Sequence, residues 1–343
     1  MLNTGKRPSP PKPSAWAPLL PRKAGEVPAQ VHRGTRVLLT VDTELSWGAH
    51  VRGASWSENL ALSFDPAGVG TLYQLDRLAE HRLKACFFVD PMPALVYGLD
   101  PIRRMVEPIM ASGQEVQLHL HPCWADPSNP LFELIDFDPQ RQLDLIRTAR
   151  DLLVEAGAPS AIAFRSGSYA ADVATLEALA ALDIGFDSSH NGSHHPHPSA
   201  LPLEPRRIAP TRVAGVIEVP VSQIEQSAGR LRHLQICAVS FGEIRAALLH
   251  AAAQSHPVVT IVGHSFELAA QGGKRANPLL VRRFEKLCAF LGDHGERLAT
   301  AHFADLGDLR LDAEASPLRT GALRTAARMA EQALGNAVYE RAF

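Results

Sequence analysis

Short apolar runs alternating with helical patterns constrain this chain more than any other feature. The runs RVLLTVD (36–42), KACFFVD (84–90), EVQLHLH (115–121), AIAFRS (161–166), DIGFDSS (183–189), VIEVPV (216–221), VVTIVGH (258–264) and LATAHF (298–303) read as strands, several of them apolar enough for burial on both faces. Helical spacing of apolar residues marks 67–82, 101–112, 140–157, 172–182, 241–255 and 278–295. Repeated βα alternation of this kind predicts an α/β fold with a parallel sheet, open or closed into a barrel. The polar, proline-rich stretch 190–212 reads as a long excursion over one face, and 318–340 as a final helix that caps the domain or meets a partner.

Bulk properties narrow the setting. A chain of 343 residues can build a large core, and a formal net charge of -2 gives no electrostatic case for nucleic acid. The four cysteines, Cys86, Cys123, Cys237 and Cys288, show no CxxC pairing, as in a reducing compartment with mostly structural thiols. Residues 1–33 are rich in proline and cationic side chains, with no apolar stretch long enough for a signal peptide or membrane span. They are expected to form a disordered tail on a cytoplasmic protein.

Residues with chemical potential stand where the apolar runs end. Asp42 and Glu44 follow VLLTV, His119 and His121 close EVQLHLH, Arg165 follows AIAF, Asp187 follows IGF, and His264 follows VVTIVG. In β/α barrels the carboxyl ends of the strands face the active site, so separate strands would deliver these groups to one rim. Residues i and i+2 of a strand share a face, about 6.6 Å apart, so two imidazoles could converge on one ion. The competing reading is a pair of core or loop histidines with ordinary hydrogen bonds, and the rim position favours the metal. Asp42 and Glu44 repeat the spacing and would add carboxylate to the shell. Arg165 needs a carboxylate if buried, and Asp42 is the best candidate. His264 is placed to act as acid or base. Cys123 reads as a structural thiol because Pro122 interrupts the strand geometry, His194, His195 and His197 read as a solvated loop, and Asp90 has no assigned role.

Taken in order, these motifs resemble those of the polysaccharide deacetylases, carbohydrate esterase family four. The match runs from an acidic motif after the first strand through a histidine motif, FRSGSY and FDSS to a last histidine in IVGHS, over about residues 34–305. Two departures stand out: the family usually has adjacent aspartates where this chain has Asp42, Thr43 and Glu44, and its metal histidines usually stand four apart rather than two. The resemblance implies a distorted (β/α) barrel over 34–305, a helical extension over 306–343, and a rebuilt metal shell of Glu44, His119 and His121. It also implies a divalent ion, with zinc first and cobalt, nickel, iron or manganese as alternatives.

The reaction implied is removal of an N-acetyl or N-formyl group from an amino sugar in a glycan or glycan precursor. Asp42 would be the base and Arg165 its orienting partner. A backbone N–H near Tyr169 would serve the oxyanion, and His264, tuned by Asp187, would protonate the amine. A catalytically inactive sugar-binding homologue is the first alternative, and a non-haem iron oxygenase is the second.

Overall fold

In a computed structural model the described residues run from 34 to 335. The expected tail, 1–33, and the end of the expected last helix, 336–340, lie outside them. The strands are β1 (Arg36–Thr43), β2 (Cys86–Val89), β3 (Glu115–Leu120), β4 (Ala163–Ser166), β5 (Phe186–Asp187), β6 (Thr211–Val213), β7 (Val216–Glu218), β8 (Gln223–Ser227), β9 (Arg230–His233), β10 (Val258–His264), β11 (Ala269–Ala270), β12 (Arg275–Ala276) and β13 (Leu318–Arg319). The helices are α1 (Trp47–Val51), α2 (Trp56–Ser63), α3 (Thr71–Glu80), α4 (Ala94–Tyr97), α5 (Asp100–Ala111), α6 (Pro139–Glu155), α7 (Val173–Ala181), α8 (Phe241–Ala253), α9 (Pro278–Asp293) and α10 (Ala322–Gly335).

The main sheet has the order β10-β1-β2-β3-β4-β5-β7-β6 and is parallel except for the antiparallel β6–β7 pair. Helices begin where side chains can take the first free N–H groups: Ser55 with Glu58, Asp172 with Thr175 and Ser240 with Glu243 form capping boxes. Alternation then splits the buried apolar residues into two clusters. Val37, Leu39, Val41, Phe87, Leu118 and Phe164 share one with residues of α3, α5, α6 and α9. Leu38, Phe88, Ala163, Phe186 and Val258 fill the concave side with Phe303 and Leu306.

The sheet curls into a half-barrel, and β10 does not pair with another long strand at its free edge. Segments that follow β7 reach it instead. Ser222 N–H donates to Thr260 O at 3.1 Å, Ile236 N–H to Val262 O at 3.0 Å, and Val262 N–H to Leu234 O at 2.9 Å. This is the distorted (β/α) barrel expected, with irregular chain covering the gap.

Several elements differ from the sequence reading. The run 298–303 does not form a strand: it makes a single parallel bridge, Val37 with Thr300, because β1 already has β10 on one side and β2 from Thr40 onward on the other. The runs 183–189 and 216–221 contribute only Phe186–Asp187 and Val216–Glu218. The final helix starts at Ala322, after Leu318 and Arg319 pair with Ile224 and Glu225 of β8. Stretch 190–212 is packed inward at His190, Asn191, Ser199 and Leu201, all 0% exposed. The short helices α1 and α2 and the β8–β9 hairpin had no clear periodic signal. No helix among the described residues is long and apolar enough to cross a membrane.

Candidate active site

Register brings the chemistry together. Asp42 lies opposite His264 in the β1–β10 ladder, and His119 opposite Arg165 in the β3–β4 ladder. Asp42, two alternations beyond Leu38 of the concave cluster, is 3% exposed, and Arg165 is fully buried. The guanidinium makes four hydrogen bonds. Nη1 donates to Asp42 Oδ1 at 2.7 Å and Thr40 Oγ1 at 2.9 Å, Nε to Ser188 O at 3.0 Å, and Nη2 to Ser188 Oγ at 3.1 Å. It also lies 4.4 Å from the Phe88 ring centroid. A buried cation is tolerated when paired and bonded this completely, and the fork holds one oxygen of Asp42 in place.

Beside Asp42 three donor atoms converge. His119 Nδ1 bonds to Arg165 O at 2.7 Å, so Nδ1 donates and Nε2 keeps its lone pair. That Nε2 lies 3.3 Å from Glu44 Oε2, and His121 Nε2 lies 2.5 Å from the same oxygen. Glu44 Oε2 is buried and makes no hydrogen bond despite this closeness, and one ligand atom from each of the three residues lies within 4.8 Å of the others. A buried oxygen without a hydrogen bond, facing two imidazole nitrogens, is a donor set that fits a divalent cation. Burial alone would raise the Glu44 carboxyl, but His121 and His119 outweigh it and hold it well below the usual range. Burial would lower His121, yet Glu44 overrides it and pushes the imidazole up to about 9.

The close spacing of the histidines depends on a glycine. A Cβ on Gly167 would stand 2.5 Å from the His121 ring, so no other residue fits behind that imidazole without displacing it. Gly167 opens the turn Gly167–Tyr169, in which Ser168 (φ 56°) and Tyr169 (φ 62°) both adopt left-handed backbone, costing about 1 kcal/mol or more apiece. Ser166 anchors the turn, its N–H donating to Ser189 Oγ at 3.0 Å and its hydroxyl to Ala170 O at 2.7 Å. The Tyr169 hydroxyl is buried without a partner, and burial raises its pKa.

His264 faces Asp42 from the other side, Nε2 to Oδ2 at 4.0 Å. Its partners were not anticipated. Gln235 Nε2 lies 3.2 Å from His264 Nδ1, and Glu267 Oε2 lies 4.0 Å from the same nitrogen. Asp187 does not tune His264. It lies in register with Phe164 and Glu218, one residue out of phase with Phe186 of the concave cluster, so it faces the opposite side of the sheet. There it accepts from Ser189 Oγ at 2.7 Å, and burial raises both its pKa and that of its neighbour Glu218. Ser188, the intervening residue, is the one that reaches the site. Glu267, three positions after His264, and Gly167, inside FRSGSY, could have been read from the sequence; Gln235 carries no motif of its own.

Of the remaining candidates, Cys123 is 2% exposed, burial pushes its thiol up to about 12, and the convergent donor set is formed by Glu44, His119 and His121 without it. Asp90 is fully buried, with Oδ1 accepting the Met92 N–H at 3.0 Å and Oδ2 without a hydrogen bond, and burial pushes its carboxyl up to about 6. His197 is largely exposed, whereas the His194 ring lies tilted against Tyr169 and His233, at 5.7 and 5.3 Å between ring centroids. A cavity of about 470 Å³ opens over Glu44 and His121, walled by Trp47, Trp124, Phe132 and Phe266, with Arg52 at its edge.

No protein-family model matches the chain, and no curated protein matches it. Solved structures do. A Mycobacterium smegmatis protein assigned as a polysaccharide deacetylase aligns over 81% of this chain and 96% of its own, with 17% identity and a TM-score of 0.51. The 4-alpha-glucanotransferase of Thermococcus litoralis aligns over 81% of this chain and 41% of its own, with 10% identity and a TM-score of 0.50. A family 4 carbohydrate esterase from Streptomyces lividans, solved with acetate, aligns over 83% of this chain and 98% of its own, with 12% identity and a TM-score of 0.40. The chain therefore has the fold found in polysaccharide deacetylases. The glucanotransferase shows that this fold also carries other chemistry, so function must be argued from the site.

Proposed function

We propose that the chain is a metal-dependent hydrolase that removes an N-acetyl or N-formyl group from an amino sugar of a glycan or glycan precursor. The observation that carries the reading is Asp42, fixed by Arg165 between a convergent Glu44–His119–His121 donor set and His264. A divalent cation in that set, with zinc the first choice for imidazole and carboxylate donors, would acidify water and polarise the amide carbonyl. Asp42 keeps Oδ1 on Arg165 and takes the proton of the attacking water on its other oxygen. The Gly167–Tyr169 turn presents backbone N–H to the developing oxyanion, and His264 faces the leaving amine. The aromatic walls of the cavity suit the apolar face of a pyranose ring, and Arg52 suits an anionic substituent on it.

The test is Asp42→Asn. It should keep its metal and lose acetate release from N-acetylated amino sugars, because an amide accepts no proton from water. Full turnover in that variant would overturn the role of Asp42, and metal loss would move Asp42 into the shell. A second reading, a sugar-binding protein without catalysis, draws on Glu44 standing where the family usually has an aspartate. It predicts sugar binding with no acetate or formate released by the wild type. A two-histidine, one-carboxylate set also serves non-haem iron oxygenases, but such chemistry has no use for the buried Asp42–Arg165 pair.

A further inference from the structure

Asp90 is a buried carboxylate that the proposed reaction leaves unused. It follows Val89, the last residue of β2, and its N–H donates to Thr43 O at 3.0 Å, so the β1–β2 ladder runs on through it. The registers Thr43 with Val89 and Val89 with Leu118, carried one step further, set Asp90 between Glu44 on one side and His119 on the other. Phe88, two residues earlier, lies in the concave cluster, and alternation turns Asp90 to the same side. That is the side on which Arg165, in register with His119, meets Asp42.

The hydrogen bonding of this carboxylate is half complete. Oδ1 accepts the Met92 N–H at 3.0 Å, while Oδ2 is buried without a partner. The charges that act on it are those of His121, His119 and Glu44; among the described residues no arginine or lysine pairs with it, as Arg165 does with Asp42. A carboxylate buried without a cation is costly. Once both imidazoles serve as neutral ligands, Glu44 and Asp90 leave two negative charges side by side, which one divalent ion balances. Distance then assigns each its place. Donor atoms about 2.1 Å from a shared ion lie within about 4.2 Å of one another, and the convergent group consists of Glu44, His119 and His121 without Asp90.

We infer that Asp90 is an outer carboxylate of the ion site, a positioning residue that acts from beyond the donor set. Its charge adds to that of Glu44, and its unpartnered Oδ2 is an acceptor for water that enters with the ion. The inference rests on the metal-dependent reading and adds a group to it. The competing role is structural: Asp90 would merely cap the turn after β2 through Oδ1, a task that asparagine performs as well. Asp90→Asn separates the two roles, because it keeps the shape and the cap and removes the charge and the second acceptor.

The test reads ion binding and needs no substrate. Full-length, metal-stripped protein is titrated with zinc in competition with a chromophoric chelator at about pH 8, where a carboxyl pushed up to about 6 is ionised. Asp90→Asn should still bind one ion per chain, about 10–100-fold more weakly than the wild type. Free of metal, the variant should melt no lower than the wild type, since the cap remains and a buried charge is gone. Cobalt(II) loaded into each should give absorption bands at the same positions, because the donor atoms are the same. Equal zinc affinity in folded Asp90→Asn overturns the inference and leaves the three-residue donor set standing. Cobalt bands displaced in the variant move Asp90 into the donor set and overturn its outer place. A wild type that binds no zinc overturns both this inference and the metal-dependent reading.

Discussion

The two flanks of Asp42 are built in different ways. On the metal flank, His119 comes from β3, Glu44 and His121 stand one residue past the ends of β1 and β3, and a carboxylate sits among the imidazoles, so His121 is pushed up to about 9. On the leaving-group flank, His264 comes from β10, but its partners Gln235 and His233 come from irregular chain and the β8–β9 hairpin, and burial pushes His233 down to about 4. One flank holds histidines beside a negative charge and is suited to binding a cation. The other sets His264 beside an amide and keeps the neighbouring His233 neutral by burial, away from the convergent donor set.

The largest expected effect breaks the metal flank outright. The double variant His119→Ala and His121→Ala should lose stoichiometric metal while the fold persists, as read by metal analysis and circular dichroism; full occupancy would return both histidines to structural roles. Next comes the other flank. His264→Ala should retain metal and lower turnover of an N-acetyl sugar by about 10²–10⁴-fold, with a much smaller loss on an activated acetyl ester, whose leaving group needs no help. Equal losses on both substrates would show that His264 does not serve the amine.

Gly167→Ala should weaken metal binding by about 10–100-fold, the size of effect seen when a ligand's support is removed. The added Cβ would displace the His121 ring, and unchanged affinity in a metal titration would mean that the ring has room to move. Asp187→Asn sits at the small end. It lies on the far side of the sheet, so turnover should change by less than about threefold; a large loss would restore it to the catalytic set.

The pH response of metal-free protein separates the flanks. His121 has a folded pKa raised to about 9, so its contribution is full below the unfolded value of about 6.5 and is lost as pH rises through 9. Buried His190 and His233 are lowered to about 4, so the unfolded state gains their protons first, and stability falls as pH drops from about 6.5 toward 4. Buried Asp90, Asp187 and Glu218, all raised, oppose these two histidines on the acid side, so the one-sided expectation is the alkaline one: denaturation midpoints should fall between about pH 6.5 and 9. Midpoints that stay flat across that window would contradict the pairing of His121 with Glu44.

Much of the metal flank was legible in the sequence because alternation is local: Asp42 and Glu44, like His119 and His121, are spaced so that one face follows from the strand itself. The pairing of Arg165 with Asp42 followed from the cost of burying a guanidinium alone. Asp187 was misread because the polar run after Phe186 gives no parity: FDSS offers Asp187 and Ser188 to opposite faces, and only the register with Phe164 tells which one turns inward. Gln235 was invisible because it reaches His264 through a single bridge to Val262, a contact with no periodic signature. The run 298–303 has the composition of a strand but meets a ladder whose places are already taken.

The central claim is that one cation held by Glu44, His119 and His121 makes Asp42 a hydrolytic base. The most direct measurement is acetate release from an N-acetylated amino sugar as metal-stripped protein is titrated with zinc. The account predicts that activity rises linearly and breaks at one equivalent per chain, with no response in the His119→Ala, His121→Ala double variant. Activity that survives stripping, or that responds equally to zinc in the double variant, would contradict it.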